Sequence, residues 1–194
     1  ADRLAAQPEF EAAETLKCNP DAPQRPVRAR ALEAGKTVYV AVPRLADVEC
    51  FLELDPHRID DVDDTTTISG ADEYGEPRAP DAVPEIDLIV AGSVAVTEDG
   101  RRVGKGEGYS DLEFALLREF GRVDDDTTVA TTVHERQVVD DAPPAEAHDV
   151  PLDLLVTPER VVRPDGGPKP DGIEWDALAA EKREAIPILS RLEP

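Results

Sequence analysis

Arg102-Val103-Gly104-Lys105-Gly106-Glu107-Gly108-Tyr109-Ser110-Asp111 is a glycine-rich loop that leads directly into a predicted helix. Alternating glycines let backbone N–H groups turn toward a ligand without obstruction by Cβ atoms. Ser110 and Glu113 have the spacing of a capping box, which places a helix start at the end of the loop. Free N–H groups and the helix dipole favour an anion such as phosphate there, and Arg102 and Lys105 would add positive charge. The alternative is a glycine-rich surface turn without a ligand.

The sequence on either side of the loop argues against two common kinds of phosphate-binding loop. The apolar run 86–92 predicts a strand, and Asp99-Gly100 between short apolar runs is a hairpin signal. A hairpin before the loop argues against a simple dinucleotide-binding turn, and the loop lacks the Gly-Lys-Ser/Thr ending of a Walker A motif. After the loop, Leu112, Leu116 and Phe120 recur at helical spacing, which predicts a helix over 111–120.

The remaining apolar patterns predict an α/β domain. Strands are predicted at 15–18, 37–42, 49–54, 86–90, 129–133 and 152–156, and helices at 2–15, interrupted near Pro8, and at 26–34. Residues 55–85 are rich in Asp, Pro, Gly and Thr, which predicts a long surface excursion. Alternating strands and helices favour a three-layer, Rossmann-like fold with a mostly parallel sheet and helices on both faces. We expect one domain over 1–163, and a Pro/Gly linker and a C-terminal tail over 164–194 that pack on it.

The composition is strongly acidic, with 43 Asp and Glu against 21 Lys and Arg and a formal charge of −22. This charge argues against nucleic acid or an anionic membrane as a partner. Acidic runs are common on solvated surfaces, but an excess spread along the whole chain favours adaptation to a salt-rich, halophilic cytoplasm. Cys18 and Cys50 have no metal or disulfide spacing and are expected to be free thiols. No apolar run has the length of a membrane span, so a cytoplasmic location is expected.

The loop 102–111 resembles the Arg-Leu-Gly-x-Gly-x-Gly-Tyr-Tyr-Asp loop of the 5-formyltetrahydrofolate cyclo-ligases, also called methenyltetrahydrofolate synthetases. Val103 replaces the leucine and Ser110 replaces the second tyrosine. The resemblance continues through the strand 86–92 and the closing segment 148–157. Segments 19–21 and 168–175 are similar to the branch of the family that is named for containing a methenyltetrahydrofolate synthetase domain.

The resemblance implies an ATP- and Mg²⁺-dependent ligase that converts 5-formyltetrahydrofolate to 5,10-methenyltetrahydrofolate. In this reaction the formyl oxygen attacks the γ-phosphate of ATP, and a neighbouring folate nitrogen closes the ring as phosphate leaves. The residues that would bind the ATP phosphates are Arg102, Gly104, Lys105, Gly106, Glu107, Gly108, Tyr109 and Ser110. Tyr109 and Asp21 would contact the folate, and Asp111 and Asp153 would bind Mg²⁺.

Two alternatives remain open at the level of sequence. Asp111 also fits an acid favoured by a helix dipole, and Asp153 also fits a polar residue that begins a strand. Because Ser110 replaces a tyrosine of the family's folate pocket, the chain also fits a non-catalytic nucleotide- or folate-binding module of the same fold. No residue is assigned a catalytic role from sequence.

Overall fold

A mixed eight-stranded sheet forms the centre of the fold. The computed structural model describes residues 1–193. Its strands are β1 (Thr15–Cys18), β2 (Thr37–Ala41), β3 (Phe51–Leu54), β4 (Glu76–Arg78), β5 (Leu88–Ala91), β6 (Ala95–Val96), β7 (Arg102–Val103), β8 (Thr128–Thr132), β9 (Leu154–Val156) and β10 (Val161–Val162). Its helices are α1 (Asp2–Ala5), α2 (Pro8–Ala12), α3 (Arg25–Glu33), α4 (Val62–Thr65), α5 (Ile68–Tyr74), α6 (Tyr109–Glu119) and α7 (Ala180–Ala185).

The strand order shows a reversal of direction next to β1. The large sheet has the order β10-β9-β8-β5-β1-β2-β3-β4, and β6 and β7 form a separate hairpin. In this order, the neighbouring strands β9, β8, β5, β1 and β2 are parallel to one another. Strands β3, β4 and β10 each pair antiparallel with a neighbour. The chain moves from β1 to β2 on one side and later from β5 to β8 on the other. The carboxyl ends of β1 and β5 therefore flank a topological switch point, where α/β proteins bind ligands.

Two hydrophobic cores cover the two faces of the sheet, which confirms the predicted three-layer α/β fold. Alternate residues of β2, β5 and β9 enter different cores, as the two-residue period of a strand requires. On β5, Leu88 packs with α1 and α3, whereas Ile89 packs with α6. Both predicted free cysteines are buried. Burial raises the pKa of the Cys18 thiol to about 11 and that of Cys50 to about 12, so both thiols are protonated at neutral pH.

The predicted surface excursion over 55–85 is wrong in part, because this segment contains α4, α5 and the edge strand β4. The signals that start both helices are side-chain caps, in which Asp61 accepts a bond from Asp64 N–H and Thr67 accepts one from Gly70 N–H. Gly70 also permits tight packing between the two helices, since a Cβ there would lie 2.0 Å from the Asp64 carbonyl oxygen. Helices of four and seven residues leave too short an apolar pattern to reveal periodicity.

The predicted capping box at Ser110 and Glu113 is also wrong. Helix α6 begins at Tyr109, and its N-cap is Gly108 in the left-handed conformation at φ 64°. Glycine adopts this conformation without a Cβ penalty, so the helix begins before Ser110. Glu113 is buried inside the helix and pairs with Lys17 instead of capping it.

The C-terminal tail packs on the α6 side of the sheet. Ile173, Ile186, Ile188 and Leu189 are buried in the same core as α6, with Trp175 packed against them. Pro194, the last residue of the predicted tail, lies outside the described residues. Within residues 1–193, no helix combines the length and apolar character needed to cross a membrane.

Candidate functional site

A cleft of about 380 Å³ opens at the switch point, between the carboxyl ends of β1 and β5 and the glycine loop. Residues 19–24 after β1 form one wall, and residues 92–94 after β5 form the floor. The loop 104–111 and residues 41–44 after β2 close the other sides. The predicted phosphate loop therefore lies where the topology of the sheet favours ligand binding.

The glycine loop presents a row of unpaired backbone N–H groups. Gly106 and Gly108 have φ values of 86° and 64°, which orient successive N–H groups differently from an extended chain. Among the described residues, none accepts a hydrogen bond from the backbone N–H groups of residues 105–111. The first bond of helix α6 runs from Leu112 N–H to the Gly108 carbonyl oxygen. This arrangement of free donors at a helix N-terminus suits a phosphate group.

Three cations surround the loop, and each has an acceptor. The Arg102 side chain is 6% exposed and donates to the Gly92 carbonyl oxygen at 3.1 Å and to Asp111 at 2.5 Å. Lys105 spans the cleft to the Asp21 carboxylate, which raises the pKa of Lys105. Lys182 of α7 donates to the Glu107 carbonyl oxygen and lies 4.6 Å from the centre of the Tyr109 ring. Lys182 is not predicted from the sequence, because no sequence pattern links residue 182 to the loop.

The structure separates the two acids that were predicted to bind Mg²⁺. Asp111 lines the cleft, where its oxygens accept from Arg102 and, at 3.1 Å, from Val150 N–H. Asp153 precedes β9 and accepts from Val129 N–H at 2.7 Å, so it lies at the amino ends of the strands, opposite the cleft. There it pairs with Lys169 at 2.9 Å. The two acids cannot share one ion in this arrangement.

The described residues form no metal site by themselves. Among residues 1–193, no group of three or more His, Cys, Asp or Glu side chains is arranged to hold a metal ion. Mg²⁺ in nucleotide enzymes is commonly held by one or two carboxylates together with phosphate oxygens and water. Of the two predicted acids, only Asp111 lies in the cleft, where a carboxylate could bind Mg²⁺ together with phosphate oxygens. Its carboxylate would have to release Arg102 in order to bind the ion.

A buried polar network supports the floor of the cleft, and no sequence pattern predicts it. Lys17 on β1 forms a salt bridge with Glu113 on α6, and both side chains are almost fully buried. Asn19 donates to Glu113 at 3.3 Å and accepts from Gly92 N–H at 3.1 Å and from the Ser110 hydroxyl at 3.2 Å. These bonds connect β1, β5 and α6, and they fix the base of the glycine loop.

The predicted folate contacts Asp21 and Tyr109 both line the cleft, together with Gln24 and Arg44. Tyr109 lies on the loop side and Asp21 on the β1 side. The backbone of Arg44 has a φ of 59°, an uncommon conformation for a residue other than glycine. The geometry thus defines an α/β domain with a phosphate-type loop beside a second wall that carries polar side chains.

Comparison with known proteins identifies the family. The sequence model of the 5-formyltetrahydrofolate cyclo-ligase family matches residues 1–158, so the chain belongs to that family. It is similar to proteins named methenyltetrahydrofolate synthase domain-containing protein: 42% identical over 189 residues to that of Mus musculus and 40% over 188 residues to that of Homo sapiens. These matches cover 94% of this chain and 50% and 49% of the relatives, so the chain spans about half their length.

Proposed function

We propose that the chain catalyses the ATP- and Mg²⁺-dependent conversion of 5-formyltetrahydrofolate to 5,10-methenyltetrahydrofolate. The observation that carries this proposal is the row of unpaired N–H groups over residues 105–111, beside a cleft at the switch point of a cyclo-ligase family member. Phosphoryl transfer is catalysed mainly by positioning and by positive charge around the transferred group. The glycine loop would supply both.

The proposed chemistry assigns distinct tasks to the residues of the cleft. The backbone of residues 104–110 would bind the ATP phosphates, and Lys105 would leave Asp21 to contact them. The formyl oxygen of the folate would attack the γ-phosphorus as ADP leaves, and the folate nitrogen would then close the ring with loss of phosphate. Asp111 would hold Mg²⁺, which neutralises phosphate charge when bound. Tyr109 and Asp21 would contact the folate. A cytoplasmic location is proposed together with this function.

The second candidate is a nucleotide- or folate-binding module without cyclo-ligase activity. The observation that favours it is the engagement of Asp111 by Arg102 and Val150, together with the position of Asp153 at the opposite sheet edge. In a module of this kind, ATP could bind at the loop without a metal arranged for transfer.

One assay separates the two candidates. The folded protein in molar KCl is incubated with 5-formyltetrahydrofolate, ATP and Mg²⁺, and the absorbance of the methenyl product is followed, with omission of ATP or of Mg²⁺ as controls. Turnover that requires both supports the enzyme. ATP binding by calorimetry without turnover supports the module. Absence of ATP binding contradicts the enzyme, and absence of both ATP and folate binding contradicts both candidates.

A further inference from the structure

We propose that Gln24 is a specificity-determining residue whose buried carboxamide receives an N–H group of the pterin ring; this inference rests on the proposed function. Gln24 lies in the turn between β1 and α3, lines the cleft, and is 1% exposed. Its Oε1 atom has no hydrogen-bond partner among the described residues. Buried acceptors are nearly always paired in native proteins, so an unpaired acceptor in the wall of a binding cleft points to a ligand donor.

A second acceptor lies beside Gln24 Oε1. A Cβ atom built on Gly92 would lie 3.1 Å from Gln24 Oε1 and 2.9 Å from Asp21 Oδ2. The two oxygens therefore converge on the same space above the Gly92 backbone, which a side chain at position 92 would fill. Lys105 pairs with the other carboxylate oxygen, Oδ1, and leaves Oδ2 directed at this space.

The two converging acceptors determine which kind of ligand group can bind in this space. A phosphate or carboxylate would be repelled by the Asp21 charge and could not donate to Gln24. A group with two adjacent N–H donors would satisfy both oxygens at once, and a hydrogen bond to a charged acceptor is stronger than one to a neutral acceptor. The 2-amino-4-oxo edge of a pterin carries such a pair, in its 2-amino group and its ring N–H.

The substitution Gln24→Met tests this assignment, because it keeps the length of the side chain and removes the acceptor. Calorimetry would measure the binding of 5-formyltetrahydrofolate and of its 2-desamino analogue to the wild-type protein and to the variant. We expect the wild type to prefer the parent folate. We expect the variant to bind the parent folate about tenfold more weakly and to lose the preference. ATP affinity should stay the same.

Two further variants distinguish recognition from a structural role. Gln24→Asn keeps a neutral carboxamide acceptor but shortens the side chain by one methylene, so it should restore part of the preference for the 2-amino compound. Gln7→Met, at a partly buried glutamine that does not line the cleft, should change neither affinity. Thermal unfolding of Gln24→Met should begin no earlier than that of the wild type, because the variant removes an unpaired buried acceptor.

Each outcome has a defined meaning. If Gln24→Met keeps the preference for the parent folate, or weakens both ligands equally with a lower unfolding midpoint, the assignment of Gln24 is wrong and the proposed function stands. If the wild-type protein binds ATP but neither folate, the folate reaction and the assignment fail together.

Discussion

Substitution of Gly106 is the most direct test of phosphate binding by the glycine loop. Its φ of 86° is unfavourable for any residue with a Cβ, and no atom lies within 4 Å of the position that a Cβ would take. A side chain there would project into open space, without a steric clash, between loop residues that line the cleft. The consequences of substitution therefore separate into backbone strain and obstruction of the ligand.

Gly106→Val should abolish ATP binding and leave the fold intact. Gly121 provides a matched control, since its φ is 64° and its Cβ position is equally open, but it lies after the other end of α6. Both variants should lose about 1–3 kcal/mol of unfolding free energy through strain. Calorimetry with ATP should distinguish them, with Gly121→Val binding as the wild type does. Equal loss of ATP binding in both variants would contradict the phosphate loop.

Asp111 and Asp153 differ in their position relative to the cleft, which the sequence does not reveal. Each acid pairs with a base, but only the Asp111–Arg102 pair lies at the cleft and is almost fully buried. The resemblance to the family assigned the same role to both residues. The structure shows that strand register places Asp153 at the opposite edge of the sheet.

Asp111→Asn should lower the unfolding free energy by about 1.5–3 kcal/mol, because Arg102 loses a charged acceptor. It should also remove any enhancement of ATP binding by Mg²⁺, while ATP binding in EDTA persists. Asp153→Asn is the control, since it disrupts the Lys169 pair without approaching the cleft. Calorimetry with and without Mg²⁺ decides the matter. A normal Mg²⁺ response in Asp111→Asn would exclude a metal role for this residue.

At the scale of elements, the sequence predicted those that carry strong local patterns. The β-branched run of β2, the apolar run of β5 and the i, i+4, i+8 pattern of α6 identified each element to within a few residues. The short helices α4 and α5 are not predicted from the sequence, because side-chain caps at their N-termini are their only sequence signals. The Lys17–Glu113 pair escaped because it joins residues 96 positions apart through tertiary packing.

The Lys17–Glu113 pair joins β1 to α6, and removal of only one of its two charges should destabilise the fold strongly. Lys17→Met or Glu113→Leu alone should each lower the unfolding free energy by about 3–5 kcal/mol, since each leaves one buried charge without its partner. The double variant should recover most of this loss, because it removes both charges. Denaturant titration measures all four proteins of the cycle.

The exposed pair Arg30–Glu33 on α3 is the matched control, with both side chains about half exposed. Its removal should cost about 0–1 kcal/mol, because water screens the two charges. If the single variants at Lys17 and Glu113 cost no more than this control, the buried pair does not stabilise the junction between β1 and α6.

At the scale of the whole molecule, the topology explains why one cleft collects most of the predicted site residues. Asp21 is distant in sequence from the glycine loop and Asp111, but Asp21 follows the end of β1, and the loop is reached through the β6–β7 hairpin that follows the end of β5, the neighbour of β1 in the sheet. A sequence pattern gives the strands, and the parallel order then determines which strand ends coincide. Asp153 lies at the start of a strand instead of its end, which is why it falls outside this cluster.

The charge of the whole chain gives the last prediction, which concerns salt. Salt weakens the exposed ion pairs, but the chain has an excess of 22 acidic side chains that no Lys or Arg can pair. Because this repulsion outweighs the pairs, screening should stabilise the fold. We expect the thermal midpoint to rise by about 4–8 °C, or roughly 2 kcal/mol, between low salt and 1 M KCl.

The form of the salt response identifies its cause. The Debye length falls from about 30 Å at 0.01 M salt to about 3 Å at 1 M, so a rise due to screening should level off near 1 M and should be alike for KCl and NaCl. A midpoint that keeps rising above 1 M, and rises more with sulfate, would indicate exclusion of salt from the protein surface instead. A midpoint that falls as salt is added would mean that the ion pairs outweigh the repulsion, and the proposed adaptation to a salt-rich cytoplasm would then be wrong.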